Sequence, residues 1–198
     1  MVVKYLGFFL QKIKDQTSSV SRWDSWNKTK FRNKVEKGQL TSEEVAKYNH
    51  EHLLGYEFCI LQSEKSLYPD CFVTIVPRNK HVGVHFIDNE GREYLTYLFH
   101  EVKEDRTLFL QEVWFYQFIP GNSSEDQEYR IHFVFDQDGN YAARKYIDSK
   151  RKYEDYEGNQ TLDFSGLYEK YPEFGQYQGI IQLERPVLID IISGHKQR

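Results

Sequence analysis

The nearest thing to catalytic machinery in this chain is a histidine between two arginines. Folded as a hairpin, the stretch Glu128–Ile147 (EYRIHFVFDQDGNYAARKYI) sets His132 opposite Arg144, with Arg130 on the same face. A histidine can serve as acid or base and an arginine can hold phosphate, so this trio has the residue types of a metal-free nuclease. The preferred reading is a solvated cross-strand cluster without a chemical role. His81 and His85 lie four apart on a predicted strand and so share a face, with His100 on the next strand. Three imidazoles on one face could bind zinc. Pairing across the turn Asp88–Gly91, however, sets Ile87 near Arg92 and His85 near Tyr94, which leaves His100 beyond the reach of the other two.

Other patterns fall short of a site. His50 and His52 are two apart on a helix end, where side chains diverge by about 200° and cannot share a metal. Asp136–Asn140 looks like a calcium loop, but its glycine stands at the fourth place rather than the sixth, and no bidentate Glu follows at the twelfth. There is no Gly-x-Ser-x-Gly and no phosphate-binding glycine pattern, and Cys59 and Cys71 sit in apolar strands. No catalytic residue, metal or cofactor is predicted.

The elements that would position such residues are strands. Gln137, Asp138 and Gly139 make a three-residue turn with Gly139 in the left-handed conformation. That register pairs Phe135 with Tyr141, Phe133 with Ala143 and Ile131 with Lys145 on an apolar face. Val134 with Ala142, His132 with Arg144 and Arg130 with Tyr146 then form a polar face, as a half-solvated pair requires. Moving the loop to Asp138-Gly139 alone mixes the faces. Upstream, Thr41-Ser42-Glu43-Glu44 is a capping box that opens a helix running to about Leu54 and stopping at Gly55. YEFCIL, CFVTIV, HVGVHFI, REYLTYLFHEV and TLFLQEVWFYQFI then read as strands, the last apolar on both faces and so central. Residues 165–171 read as a short helix ended by Pro172, and 179–183 and 187–192 as closing strands, or as a strand and a turn.

Up to seven strands joined by short turns, with no helix between them, predict an antiparallel meander. The fold class is α+β, mainly β: a single domain over 1–198 with a curved antiparallel meander sheet and one or two helices packed on it. Its parts are a basic N-terminal segment (11–40), the sheet (56–147) and an acidic, aromatic C-terminal segment (148–198).

Aromatic residues make up 16% of the chain, so the core is built from rings. The net charge of −4 argues against a general nucleic-acid binder. Cys59 and Cys71 are equidistant from Lys65 across a loop, so a cross-strand bridge is possible, but two reduced buried thiols are expected. The apolar start carries Lys4, lacks a small-residue cleavage site and is too short to span a bilayer, so a soluble, cytoplasmic protein is expected.

Two segments look like binding surface rather than scaffold. Residues 11–40 carry eight bases against three acids and hold Trp23 and Trp26, hot-spot material if exposed and a lid over the sheet if buried. Residues 153–174 carry six acids, one base and six aromatics. Carboxylates steer and rings anchor, so Tyr153, Glu154, Asp155, Tyr156, Glu157, Tyr168 and Glu169 are the candidate contacts for a basic partner. The same rings could instead plug the protein's own sheet.

The FVFDQDGNYAARKY hairpin and the acidic aromatic stretch 153–174 give the second half of the chain a texture that resembles the immunity proteins bacteria encode beside polymorphic or contact-dependent toxins. The resemblance implies a non-catalytic protein that binds and neutralises a cognate toxin, typically a basic nuclease, touching neither nucleic acid nor membrane itself. The basic segment 11–40 departs from a uniformly acidic inhibitor and leaves the choice of face open. The alternatives are a small hydrolase or nuclease using the sheet-face His132, and a β-barrel closing round an aromatic-lined cavity.

Overall fold

The computed structural model describes residues 1–5, 37–119, 127–158, 163–189 and 191. Trp23, Trp26 and nearly all of the basic segment lie outside the described residues. The chain forms two compact units, residues 1–93 and 94–198. The protein is mainly β: strands follow one another in chain order, and within each unit they pair antiparallel.

In the first unit, β1 (Val2–Tyr5), β2 (Tyr56–Leu61), β3 (Cys71–Val76) and β4 (His81–Ile87) lie side by side in that order. β3 is buried at every residue, as expected of an interior strand without polar side chains beyond Thr74. Helix α1 (Ser42–Glu51) packs on β1 and β2. Its capping box is complete: Glu44 N donates to Thr41 Oγ1 at 3.1 Å, and Thr41 N donates to Glu44 Oε2 at 2.6 Å.

The helix ends three residues before the predicted Leu54. Leu53 takes the left-handed conformation (φ 54°), and Leu53 N donates to His50 O while Leu54 N donates to Asn49 O. This is the Schellman arrangement with a leucine where glycine is usual. Gly55 is left as the acceptor of Asn49 Nδ2 at 3.0 Å.

Cys59 pairs with Phe72 and Cys71 with Ile60, one step out of the predicted alignment, so the two thiols point to opposite faces. Both are free and buried. Burial pushes Cys59 up to about 11 and Cys71 to about 12. The next turn is also one residue off: Asp88 N donates to Arg92 O, so Asp88 rather than Ile87 faces Arg92. The Asp88 carboxylate explains the shift, because Oδ1 accepts from both Glu90 N and Arg92 N at 2.9 Å and draws Asp88 into the turn.

The second unit holds β5 (Glu93–Glu101) from Tyr94 onward, then β6 (Thr107–Phe118), β7 (Gln127–Phe135), β8 (Tyr141–Ile147) and β9 (Lys152–Gly158), again side by side in order. The β7–β8 register is the predicted one from Arg130↔Tyr146 to Phe135↔Tyr141, and Gly139 has φ 92° in the turn closed by Asp136 N donating to Asn140 O. β10 (Tyr168–Lys170) pairs with the start of β6, at Thr107–Phe109. It thereby occupies the edge of β6 that β7, pairing from Glu112 onward, leaves open.

The apolar face of this sheet, with Tyr97, Phe99, Val113, Phe133 and Phe135, is buried together with Phe164, Leu167, Tyr177, Ile180, Val187 and Leu188. Phe164 meets Phe135 edge-on at 5.5 Å, and Tyr97 donates its hydroxyl to Leu183 O at 2.6 Å. Residues 164–167 form a 3-10 turn capped by Asp163 and lead directly into β10, in place of the predicted helix. Residues 178–181 are a turn and 186–189 are helical rather than a pair of strands. Pro186 stands at the first helical position, where its missing N–H costs nothing. Arg185, just before it, is 2% exposed. Its guanidinium donates to Gly166 O (2.8 Å), Gly179 O (2.9 Å) and Glu169 Oε1 (3.1 Å) and lies over the Phe99 ring.

Candidate protein-binding surface

The opposite face of β6–β9 is where the polar and aromatic side chains collect. Paired residues on neighbouring strands share a face, so the registers of β6, β7, β8 and β9 define rows across the sheet. One row is Trp114, His132, Arg144 and Asp155. A second is Tyr116, Arg130, Tyr146 and Tyr153, and a third is Glu112, Val134, Ala142 and Glu157. The predicted polar face of the central hairpin is thus the middle of a wider surface, with β6 on one side and β9 on the other.

The side chains on it hold one another in place. Trp114 and His132 stack with ring centroids 3.9 Å apart and planes 8° from parallel. His132 Nε2 lies 2.9 Å from Glu112 Oε2. Arg130 sits over the Tyr146 ring at 5.0 Å. Arg144 donates from Nε and Nη2 to the two Asp155 oxygens, the second at 2.9 Å, and covers the Tyr153 ring at 4.6 Å. That fork holds the Asp155 carboxyl below its ordinary value and raises the guanidinium.

The trio His132, Arg130 and Arg144 is on one face, as predicted, but its members are engaged. A carboxylate in direct contact with an imidazole fixes the ring's orientation, and Glu112 does this for His132. The other histidine pattern disperses: His85 pairs with Glu93 at 3.2 Å, and His50 Nδ1 lies 2.9 Å from the Tyr56 hydroxyl. Among the described residues no group of three His, Cys, Asp or Glu side chains could hold a metal ion, and no helix is long and apolar enough to cross a membrane.

The predicted contact residues divide between two places. Tyr153 to Glu157 form β9, the last strand of the sheet, which among the described residues pairs with β8 alone. Strand alternation puts Tyr153, Asp155 and Glu157 on the Trp114 face and Glu154 and Tyr156 on the other. All are exposed except Tyr156, which is half-buried in the row of Phe133 and Ala143. Tyr156 donates its hydroxyl to Glu154. Tyr168 and Glu169 belong to β10 instead. Tyr168 packs on Phe109 with centroids 4.9 Å apart, and Glu169 is an acceptor for the buried Arg185.

Trp114, Tyr116 and Glu112 escaped the sequence reading because β6 looks apolar on both faces. The signal was present in its second half, where Glu112, Trp114 and Tyr116 carry polar atoms at alternate positions and Val113 and Phe115 carry none. Comparison with family models, curated proteins and solved structures finds no match for this chain.

Proposed function

We propose that this chain is a non-catalytic binding protein, an immunity protein that neutralises a basic nuclease toxin by occupying it. The observation that carries the reading is β9, an exposed strand bearing Glu154, Asp155 and Glu157 beside Tyr153. Exposed carboxylates speed encounter with a basic partner, and a tyrosine held flat by Arg144 loses little side-chain freedom when it is covered. The hydrolase alternative has against it the Arg144–Asp155 fork, which already engages the guanidinium that would hold phosphate. A closed ligand-binding barrel would need β9 to pair on both sides, and it pairs only with β8 among the described residues.

The test is co-expression with the product of any toxin-like open reading frame adjacent to this gene, scored by growth, followed by association kinetics of the purified pair. Rescue is expected, and Glu154→Lys with Glu157→Lys slows association and flattens its salt dependence. Asp155 is left in place because it anchors Arg144. A purified chain that neither rescues growth nor binds the toxin removes the reading.

A further inference from the structure

We infer that the outer edge of β9, beside which no strand lies among the described residues, is a strand-addition site, taking an extended basic segment of a partner protein as the next strand of the sheet. The inference rests on the partner-binding reading above and specifies how the partner is held. An edge strand presents a row of backbone N–H and C=O groups without ladder partners, and a peptide laid along it gains one hydrogen bond after another. Among the described residues β9 pairs with β8 alone, and its side chains from Lys152 to Asp155 are exposed, Tyr153 at 63%.

Charge selects the occupant. A second copy of this chain is a poor one, because antiparallel pairing of β9 with itself sets acid against acid in every register of substantial overlap. In registers of five or more residues Asp155 then faces Asp155, or Glu154 faces Glu154, Asp155 or Glu157, or Asp155 faces Glu157. Like charges directly opposite are destabilising, whereas Lys or Arg opposite these positions is favourable. The acids also stand on both faces of the strand, Glu154 on one and Asp155 and Glu157 on the other. A matching segment therefore carries bases at consecutive rather than alternate positions. Arg144 holds Asp155 from the β8 side.

The experiment is amide hydrogen exchange on the full chain with two probes of equal charge. One is a short peptide of Lys, Arg, Thr and Val; the other has proline at alternate positions and cannot complete a ladder. With the first peptide at ten times its Kd, the β9 amides that do not bond to β8 slow by about tenfold. The proline peptide leaves them unchanged. Equal effects from both peptides, or binding of the first without β9 protection, overturn the inference. The toxin domain separates the two levels. If it binds and β9 still exchanges freely, strand addition is wrong and the inhibitor reading stands. If it does not bind while the first peptide protects β9, the inhibitor reading fails and the edge site stands.

Discussion

Trp114 and His132 lie face to face across β6 and β7, and His132 reaches from that stack to the Glu112 carboxylate two residues along β6. The imidazole is therefore held by a ring on one side and an acceptor at its edge. A double-mutant cycle of Trp114→Ala and His132→Ala in urea is expected to return a coupling of about 0.5–1.5 kcal/mol. A coupling near zero would show that the rings merely lie beside each other.

One residue further along β7 the balance is different. Phe133 is 0% exposed and stacks beside Phe135, so Phe133→Ala leaves a cavity and costs about 3–5 kcal/mol. His132→Ala costs about 1 kcal/mol, the loss of one half-exposed stack and hydrogen bond. Denaturant melts in the reverse order would mean that the two faces of the hairpin had been exchanged.

Leu53 closes α1 with φ 54° while its side chain is 51% exposed, so it gives back little packing for a left-handed backbone that disfavours a Cβ. Leu53→Gly is expected to raise stability by about 1 kcal/mol, read as a higher urea midpoint with unchanged slope. A loss of stability would show that the packing of the covered half of the leucine matters more than its backbone strain.

How much of this was legible follows from what each segment offers a reader. The strands from Tyr56 to Ile147 announce themselves by β-branched and aromatic runs between turn residues, and the β7–β8 register follows from alternation around Gly139. The thiol alignment failed because loop symmetry about Lys65 says nothing of an extra residue in the turn. The cover over the apolar face was illegible for a different reason. Residues 163–191 have neither period, and Arg185 reads as an ordinary surface charge until three acceptors from Gly166, Gly179 and Glu169 are brought round it. The contact residues predicted in 153–174 looked like one surface because composition carries no fold: β9 and β10 share a composition and occupy different parts of the sheet.

Arg185 gives a sharp test of that cover. Arg185→Ala leaves the Gly166 and Gly179 carbonyls and the Glu169 carboxylate without their donor and opens a hole where the buried guanidinium was, and is expected to cost about 3–5 kcal/mol. Arg185→Lys is expected to recover only part, since a single ammonium cannot reproduce the fork. Full recovery by lysine would mean that charge alone, not geometry, holds the segment.

Acid should loosen the same region. Asp105 accepts from the Thr107 side chain and from Lys170 Nζ at 2.9 Å, which holds its carboxyl down at about 2. A carboxyl lowered by folding contributes stability that is complete above its unfolded value, near 3.9, and is lost as pH falls towards 2. The melting temperature is therefore expected to drop over that window, and Asp105→Asn to drop less steeply while starting lower at neutral pH. Identical slopes in the two proteins would assign the acid loss to other carboxylates.

β10 reaches β6 only after β7, β8 and β9 have been laid down, and the Arg185 clamp comes later still in the chain. During synthesis the rings of Phe99, Phe133 and Phe135 must therefore wait, uncovered, until the ribosome has passed residue 191. A message or nascent chain cut short in this stretch does not yield a weaker version of the protein. It yields a sheet with a sticky aromatic face, a natural client for chaperones and proteases, and so the dose of functional protein in the cell is set by complete translation.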